Sequence, residues 1–253
     1  MTYCLGILVN EGMVFAGDSR TNAGVDSVAT FRKLFVFERP GDRVIVLLTA
    51  GNLAVTQEVI SMVERGLDSD DPDRSLFHVD SLFLAARIVG GFLRVVFDRD
   101  SEYFRAHGAD FNASLIVGGQ IRGERPRLFL VYPAGNFIEA GADTPYFQLG
   151  ETKYGKPILE RVLTPATGLV DVAKCALVSF DSTIKANLSV APPIDIAIYG
   201  RDSFQVALQH RILENDAYFL ALRKHWGEGL RRVFIDAPEP PWQLRSAAGP
   251  AAK

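Results

Sequence analysis

Thr2 directly follows Met1, and a residue with so small a side chain in that position generally loses its methionine to the cellular aminopeptidase. Thr2 would then carry a hydroxyl and a free α-amine. An unperturbed α-amine has a pKa of about 7.7–8.0, so a usable fraction is neutral near pH 7. Nucleophile and base then share one residue, the threonine–terminal amine arrangement. Three further residues could serve such a group. Asp18, in Gly17-Asp18-Ser19-Arg20, is a charge at the end of an apolar run. Lys33 interrupts an apolar period-two face marked by Phe31 and Phe35, where an ammonium must find a partner or remain exposed. Gly51, in Thr49-Ala50-Gly51-Asn52, lies at a strand-to-helix junction. A backbone N–H pointing into a cleft at a helix N-terminus favours a developing oxyanion. Each also has a plainer reading: a turn residue, an edge lysine reaching solvent, and a glycine that merely starts a helix. Cys4, two residues into the same strand, is a rival nucleophile that lacks a free amine.

Other chemistries find little support. No phosphate loop, dinucleotide-binding glycine fingerprint, nucleophile elbow or HExxH is present. Two cysteines, Cys4 and Cys175, exclude a disulfide framework in 253 residues and fit a reducing, cytoplasmic compartment. With four scattered histidines they do not make a metal site, and no cofactor is expected. The net charge of −3 and the lack of a dense Lys/Arg run argue against nucleic acid and anionic membranes. No apolar stretch reaches the roughly 18 residues of a membrane span, and the opening Met1-Thr2-Tyr3-Cys4 has no basic leader or pro-segment.

The elements that must position these residues follow from hydrophobic period. Strands are predicted at 3–9, 13–16, 29–38 and 43–49, the first two as a hairpin about Asn10-Glu11-Gly12. Helical spacing follows over 51–67 and 76–107, the latter interrupted by Gly90-Gly91, which a close helix–helix crossing would explain. Strands return at 112–120, 127–132 and 136–140, helices at 154–162 and 170–187, strands at 194–199 and 204–210, and a helix at 214–233. Clustered, hairpin-linked strands that do not alternate with helices exclude a doubly wound parallel sheet. The expected fold is α+β, with two antiparallel sheets between helix layers, as one domain over 1–236. Residues 237–253 form a loose tail rich in Pro and Ala.

Thr2, Asp18, Lys33 and Gly51, in that order on that succession of elements, resemble the proteasome β-subunit family of N-terminal nucleophile hydrolases. Met1-Thr2-Tyr3-Cys4, Asp18-Ser19-Arg20-Thr21-Asn22-Ala23-Gly24 and Asn187-Leu188-Ser189-Val190 look most like its bacterial Anbu, or ancestral β-subunit, branch. The resemblance implies a four-layer αββα sandwich and a threonine peptidase. Thr2 would attack and its amine accept the proton, Lys33 and Asp18 would assist, Gly51 would offer an oxyanion N–H, and Ser189 would complete the site. It also implies a homo-oligomer, as a ring or an open helical assembly. Several phenylalanines of the long helix (Phe77, Phe83, Phe92 and Phe97) fit either core or contact. A non-catalytic subunit of the same fold and an amidase for small amides remain alternatives. Two positions depart from the family pattern. A Gly-Ser-Gly segment reads Gly150-Glu151-Thr152, and an Asp-x-x-Ser segment reads Ala186-Asn187-Leu188-Ser189, without its acid.

Overall fold

The computed structural model describes residues 2–22, 28–71, 74–108 and 110–242. Within them the chain is α+β. One antiparallel sheet is built from β1 (Tyr3–Val9), β2 (Gly12–Asp18), β10 (Tyr146–Gly150), β11 (Ile194–Gly200) and β12 (Val206–Ile212), in the order β10-β1-β2-β11-β12. The other contains β5 (Leu34–Arg39), β6 (Arg43–Gly51), β7 (Ala113–Ile121), β8 (Arg127–Val131) and β9 (Phe137–Glu139), as an antiparallel meander in chain order. A ribbon of β3 (Arg20–Asn22) and β4 (Val28–Thr30) stands apart from both. The described helices are α1 (Leu53–Gly66), α2 (Leu82–Ala106), α3 (Lys156–Val162), α4 (Leu169–Ala186) and α5 (Ala217–Ile235).

Side-chain alternation distributes these strands among three apolar clusters. In β1, Tyr3, Leu5 and Ile7 pack with Val172, Ala176 and Phe180 of α4, while Cys4 on the opposite face joins Phe15, Leu48 and Ile116 between the sheets. In β6, Ile45 and Leu47 pack against α1 and α2, while Val44, Val46 and Leu48 face the other sheet. Each strand that is apolar on both faces is thereby covered twice, which is why 43–49 reads as a continuous apolar run.

Helix ends follow local capping chemistry. Asn52 caps α1 by accepting from the Ala54 and Val55 amides, Ser81 caps α2, and Asp216 caps α5. The capped start of α2 corrects the expected 76–107. Ser81 is extended (φ −154°, ψ 152°), so the helix cannot run through it, and the Arg43 guanidinium holds the preceding turn by the carbonyls of Leu76 and Val79. The glycine pair also differs from expectation. A Cβ on Gly90 would lie 2.2 Å from the Gly135 carbonyl oxygen, so the close approach is to the β8–β9 turn and not to another helix, and Gly91 has open space.

Strand 29–38 is not continuous. Residues 31–33 are irregular between β4 and β5, and this break reorients Lys33. It does not share a face with Phe35 and Phe37. Its Cβ lies beside Gly17 on the Cys4–Leu48 side of the first sheet. β10 was not predicted at all. It is a short edge strand behind Pro145, paired only with β1, so its partner is remote in sequence. The final strand lies at 206–212 instead of 204–210, and the last helix at 217–235 instead of 214–233. Of the expected tail, residues 237–242 form neither helix nor strand, and 243–253 lie outside the described residues.

Candidate active site

Thr2 is the last residue before the β1 ladder, and both flanks hold it. Its carbonyl accepts from the Glu151 amide at 2.8 Å, and the next amide, Tyr3 N–H, donates to Asp18 Oδ1 at 2.9 Å. The Tyr3 phenol is fully buried and meets Ser179 and Gln148, tying β1 to α4 and β10. Thr2 is half-buried, so the start of β1 is fixed to the sheet while residue 2 remains within reach of solvent.

Asp18 Oδ1 accepts a second bond, from Lys33 Nζ at 3.0 Å, and Lys33 also donates to the Arg20 carbonyl at 2.7 Å. One carboxylate oxygen thus joins the lysine ammonium to the amide that follows Thr2. Asp18 is inaccessible and Lys33 is 5% exposed. Burial pushes the Asp18 carboxyl above the ordinary carboxylate range. The Lys33 ammonium, the Tyr3 amide and the Lys33 hydrogen bond oppose that rise. Asp18 Oδ2 is buried with no hydrogen-bond partner among the described residues.

A cavity of about 470 Å³ opens beside this group, lined by Thr2, Lys33, Thr49, Gly51, Ser114 and Tyr132 among others. Gly51 ends β6 and does not begin the helix; Asn52 stands between it and α1. Its φ of +108° suits glycine, and a Cβ there would fall 1.9 Å from the Asn112 carbonyl oxygen. Thr2, Lys33 and Gly51 therefore share one cavity, with Asp18 directly behind Lys33. Ser189 does not line that cavity. Its amide donates to Asn187 Oδ1 at 2.9 Å.

Sequence reasoning missed what Asn187 does. Its Nδ2 donates to Glu151 Oε2 at 3.0 Å, and Glu151 is a buried carboxylate on the segment that pairs with Thr2. The departure at 151 and the segment that lacks its acid at 186 are thus neighbours in space, through Asn187. Asp181, the nearest acid upstream of Ala186, is engaged elsewhere, accepting from Arg223 on α5. Cys4 is fully buried with its thiol 3.6 Å from the Thr49 carbonyl, and burial raises its pKa, so it remains protonated at neutral pH.

No protein-family model and no curated protein sequence matches the chain. Solved structures do. Anbu (ancestral beta-subunit) from Yersinia bercovieri is 50% identical, with 95% of this chain and 100% of that chain covered and a TM-score of 0.88. An Anbu (Gly-1) mutant from Hyphomicrobium sp. strain MC1 is 48% identical, with 96% and 100% covered and a TM-score of 0.89. A structure described as the helical assembly of the Anbu complex from Pseudomonas aeruginosa is 49% identical, with 94% and 98% covered and a TM-score of 0.89. Identity at this level over nearly the whole of both chains is far above what shared architecture alone produces, and the chain belongs to the Anbu family of proteasome-related β-subunits.

Proposed function

We propose that the protein is a threonine hydrolase of the N-terminal nucleophile type, cleaving peptide or amide bonds after Met1 removal exposes the Thr2 amine. The observation that carries this reading is the single Asp18 oxygen shared by the Tyr3 amide and the Lys33 ammonium beside the Thr2 cavity. The four-layer αββα arrangement of such hydrolases is supported by the three apolar clusters: α1 and α2 on one sheet, the two sheets on each other, and α3–α5 on the second sheet. One domain spans 1–236.

In the proposed reaction Thr2 Oγ attacks the scissile carbonyl while its proton passes, through a water, to the neutral α-amine. Lys33 favours this proton loss by its charge, and Asp18 keeps that ammonium fixed. The Gly51 N–H stabilises the tetrahedral oxyanion; such a donor typically contributes ~10²–10³ in rate. Collapse expels the leaving amine, which takes the proton, and water then hydrolyses the ester on Thr2. Each of these groups belongs to the chain, so no cofactor is required. Buried, unpaired Cys4 and Cys175 support a reducing cytoplasmic setting. Among the described residues no helix is long and apolar enough to cross a membrane.

Self-assembly is part of the proposal, consistent with the helical assembly described for the Pseudomonas aeruginosa relative. The contact surface lies on α5, which is more exposed than the phenylalanines singled out between 77 and 97. Phe77 and Phe92 pack on the core, and Phe83 and Phe97 make edge-on ring contacts with Phe129, Phe137 and Phe111. On α5 only Phe219 is buried, and Leu230, Val233, Phe234 and Ile235 are exposed.

Intact-mass and peptide-mapping spectrometry with a β-lactone probe tests the reading. A chain starting at Thr2, with one adduct on Thr2 that disappears in Thr2→Ala, is the expected result. Retained Met1, or an adduct indifferent to that substitution, would refute it.

A further inference from the structure

We propose that Glu151 pairs with the Thr2 α-ammonium and so governs when that amine can act as a base; this rests on the nucleophile reading above. Glu151 stands opposite Thr2. The β1–β10 register pairs Tyr3 with Gly150, and the next step is closed by the Glu151 amide donating to the Thr2 carbonyl at 2.8 Å. β10 ends at Gly150, whose φ of +79° turns the chain, so Glu151 lies just past the ladder, joined to Thr2 by that bond.

The charge around Glu151 does not balance without such a cation. The residue is 5% exposed. Its Oε2 accepts from Asn187 Nδ2, and its Oε1 lies 3.9 Å from Lys153 Nζ, an ammonium on a side chain that is 78% exposed. Asn187 closes the C-terminal end of α4, where the helix presents partial negative charge. A buried carboxylate at the negative end of a helix, with one amide donor and one solvated cation at the outer limit of an ion pair, is short of positive charge. Removing Met1 creates an ammonium on the residue that faces it.

The surrounding charges act on that amine in both directions. Lys33 disfavours a second cation beside it. Asp18 favours one: its Oδ1 is shared by Lys33 and the Tyr3 amide, and its buried Oδ2 has no hydrogen-bond partner among the described residues. Arg20 on β3 donates to the Leu188 carbonyl, Lys185 in the last turn of α4 is exposed, and the Lys153 ammonium is 3.9 Å from Glu151 Oε1. α1 contributes Leu53 and Thr56, both uncharged, to the Thr2 cavity. Glu151 is thus the carboxylate not committed to Lys33. It acts as a positioning residue that keeps the amine protonated near neutrality, restrains the nucleophile there and releases it as pH rises.

The test uses the full chain as wild type, Glu151→Gln and Lys153→Met. Intact mass first establishes whether each begins at Thr2. Competitive acetylation with trace acetic anhydride across pH, read on the N-terminal peptide by mass spectrometry, then gives the titration midpoint of the amine without requiring turnover. Glu151→Gln is expected to lower the midpoint by about one to three pH units and to quicken β-lactone labelling at pH 7. Lys153→Met, which removes the competing cation, is expected to raise the midpoint. An unchanged or raised midpoint in Glu151→Gln overturns the pairing and leaves the nucleophile reading standing; a chain that keeps Met1 overturns both. Should Glu151→Gln fail to fold, Lys153→Met decides alone: a rise supports the pairing, and no change or a fall overturns it.

Discussion

Lys33→Ala tests whether the ion pair beside Thr2 is built into the fold or lies on its surface. From sequence alone the substitution should abolish labelling and leave the melt near wild type. The structure reverses the second half of that expectation. The ammonium and the carboxylate are 3.0 Å apart and both buried. At an effective dielectric of 20 the attraction is about 5.5 kcal/mol, most of it offset by the cost of desolvating the two ions. Deleting only the lysine leaves that desolvation cost on Asp18, and breaking a buried pair from one side costs about 3–5 kcal/mol. For a chain of this size that corresponds to a melting temperature lower by about 6–20 °C. The loss depends on pH, with a sign fixed by Asp18. Its folded pKa is raised above the unfolded value of about 3.9. Its contribution is therefore fully present below that value and lost as pH rises through the folded pKa, and without Lys33 the raise is larger. Urea unfolding of wild type and Lys33→Ala at pH 8 and pH 5 should show the gap narrowing at the lower pH. A Lys33→Ala melt within about 2 °C of wild type at pH 7.5, or a gap that widens at pH 5, would refute the reasoning.

Gly51→Ala should destabilise by more than the roughly 1–3 kcal/mol of its φ alone, because the new methyl meets the Asn112 carbonyl; chemical denaturation measures this. Phe234→Asp should change the unfolding free energy by no more than about 0.5 kcal/mol, since its side chain is exposed, yet shift sedimentation toward smaller species; unchanged sedimentation would remove α5 from the contact surface. Neither Cys4 nor Cys175 should react with an aromatic disulfide reagent before unfolding, because both thiols are buried and burial raises the pKa of each, that of Cys175 to about 11.

Most of the elements were legible in the sequence because burial follows period. Short apolar runs marked β1, β6, β7 and β11, and helical spacing marked α1, α2 and α4, all of which pack on faces that their own residues define. The order of Thr2, Asp18, Lys33 and Gly51 along the chain was equally readable, and with it the family. What local pattern could not supply was anything set by a partner distant in sequence. β10 exists because β1, more than a hundred residues earlier, offers it an edge. The helix starts only after the extended Ser81, and the turn before it is held by Arg43 of β6 through two carbonyls. Lys33 faces Asp18 only because the chain loses its strand geometry at 31–33, which no alternation signals. Glu151 and Ala186 read as two unrelated departures from a pattern until Asn187, at the end of α4, bonds the Glu151 that is itself bonded to Thr2. A sequence fixes which side chains prefer the interior, since that preference belongs to each residue. Which buried charge meets which belongs to pairs of residues, and only the closed sheets bring those pairs together.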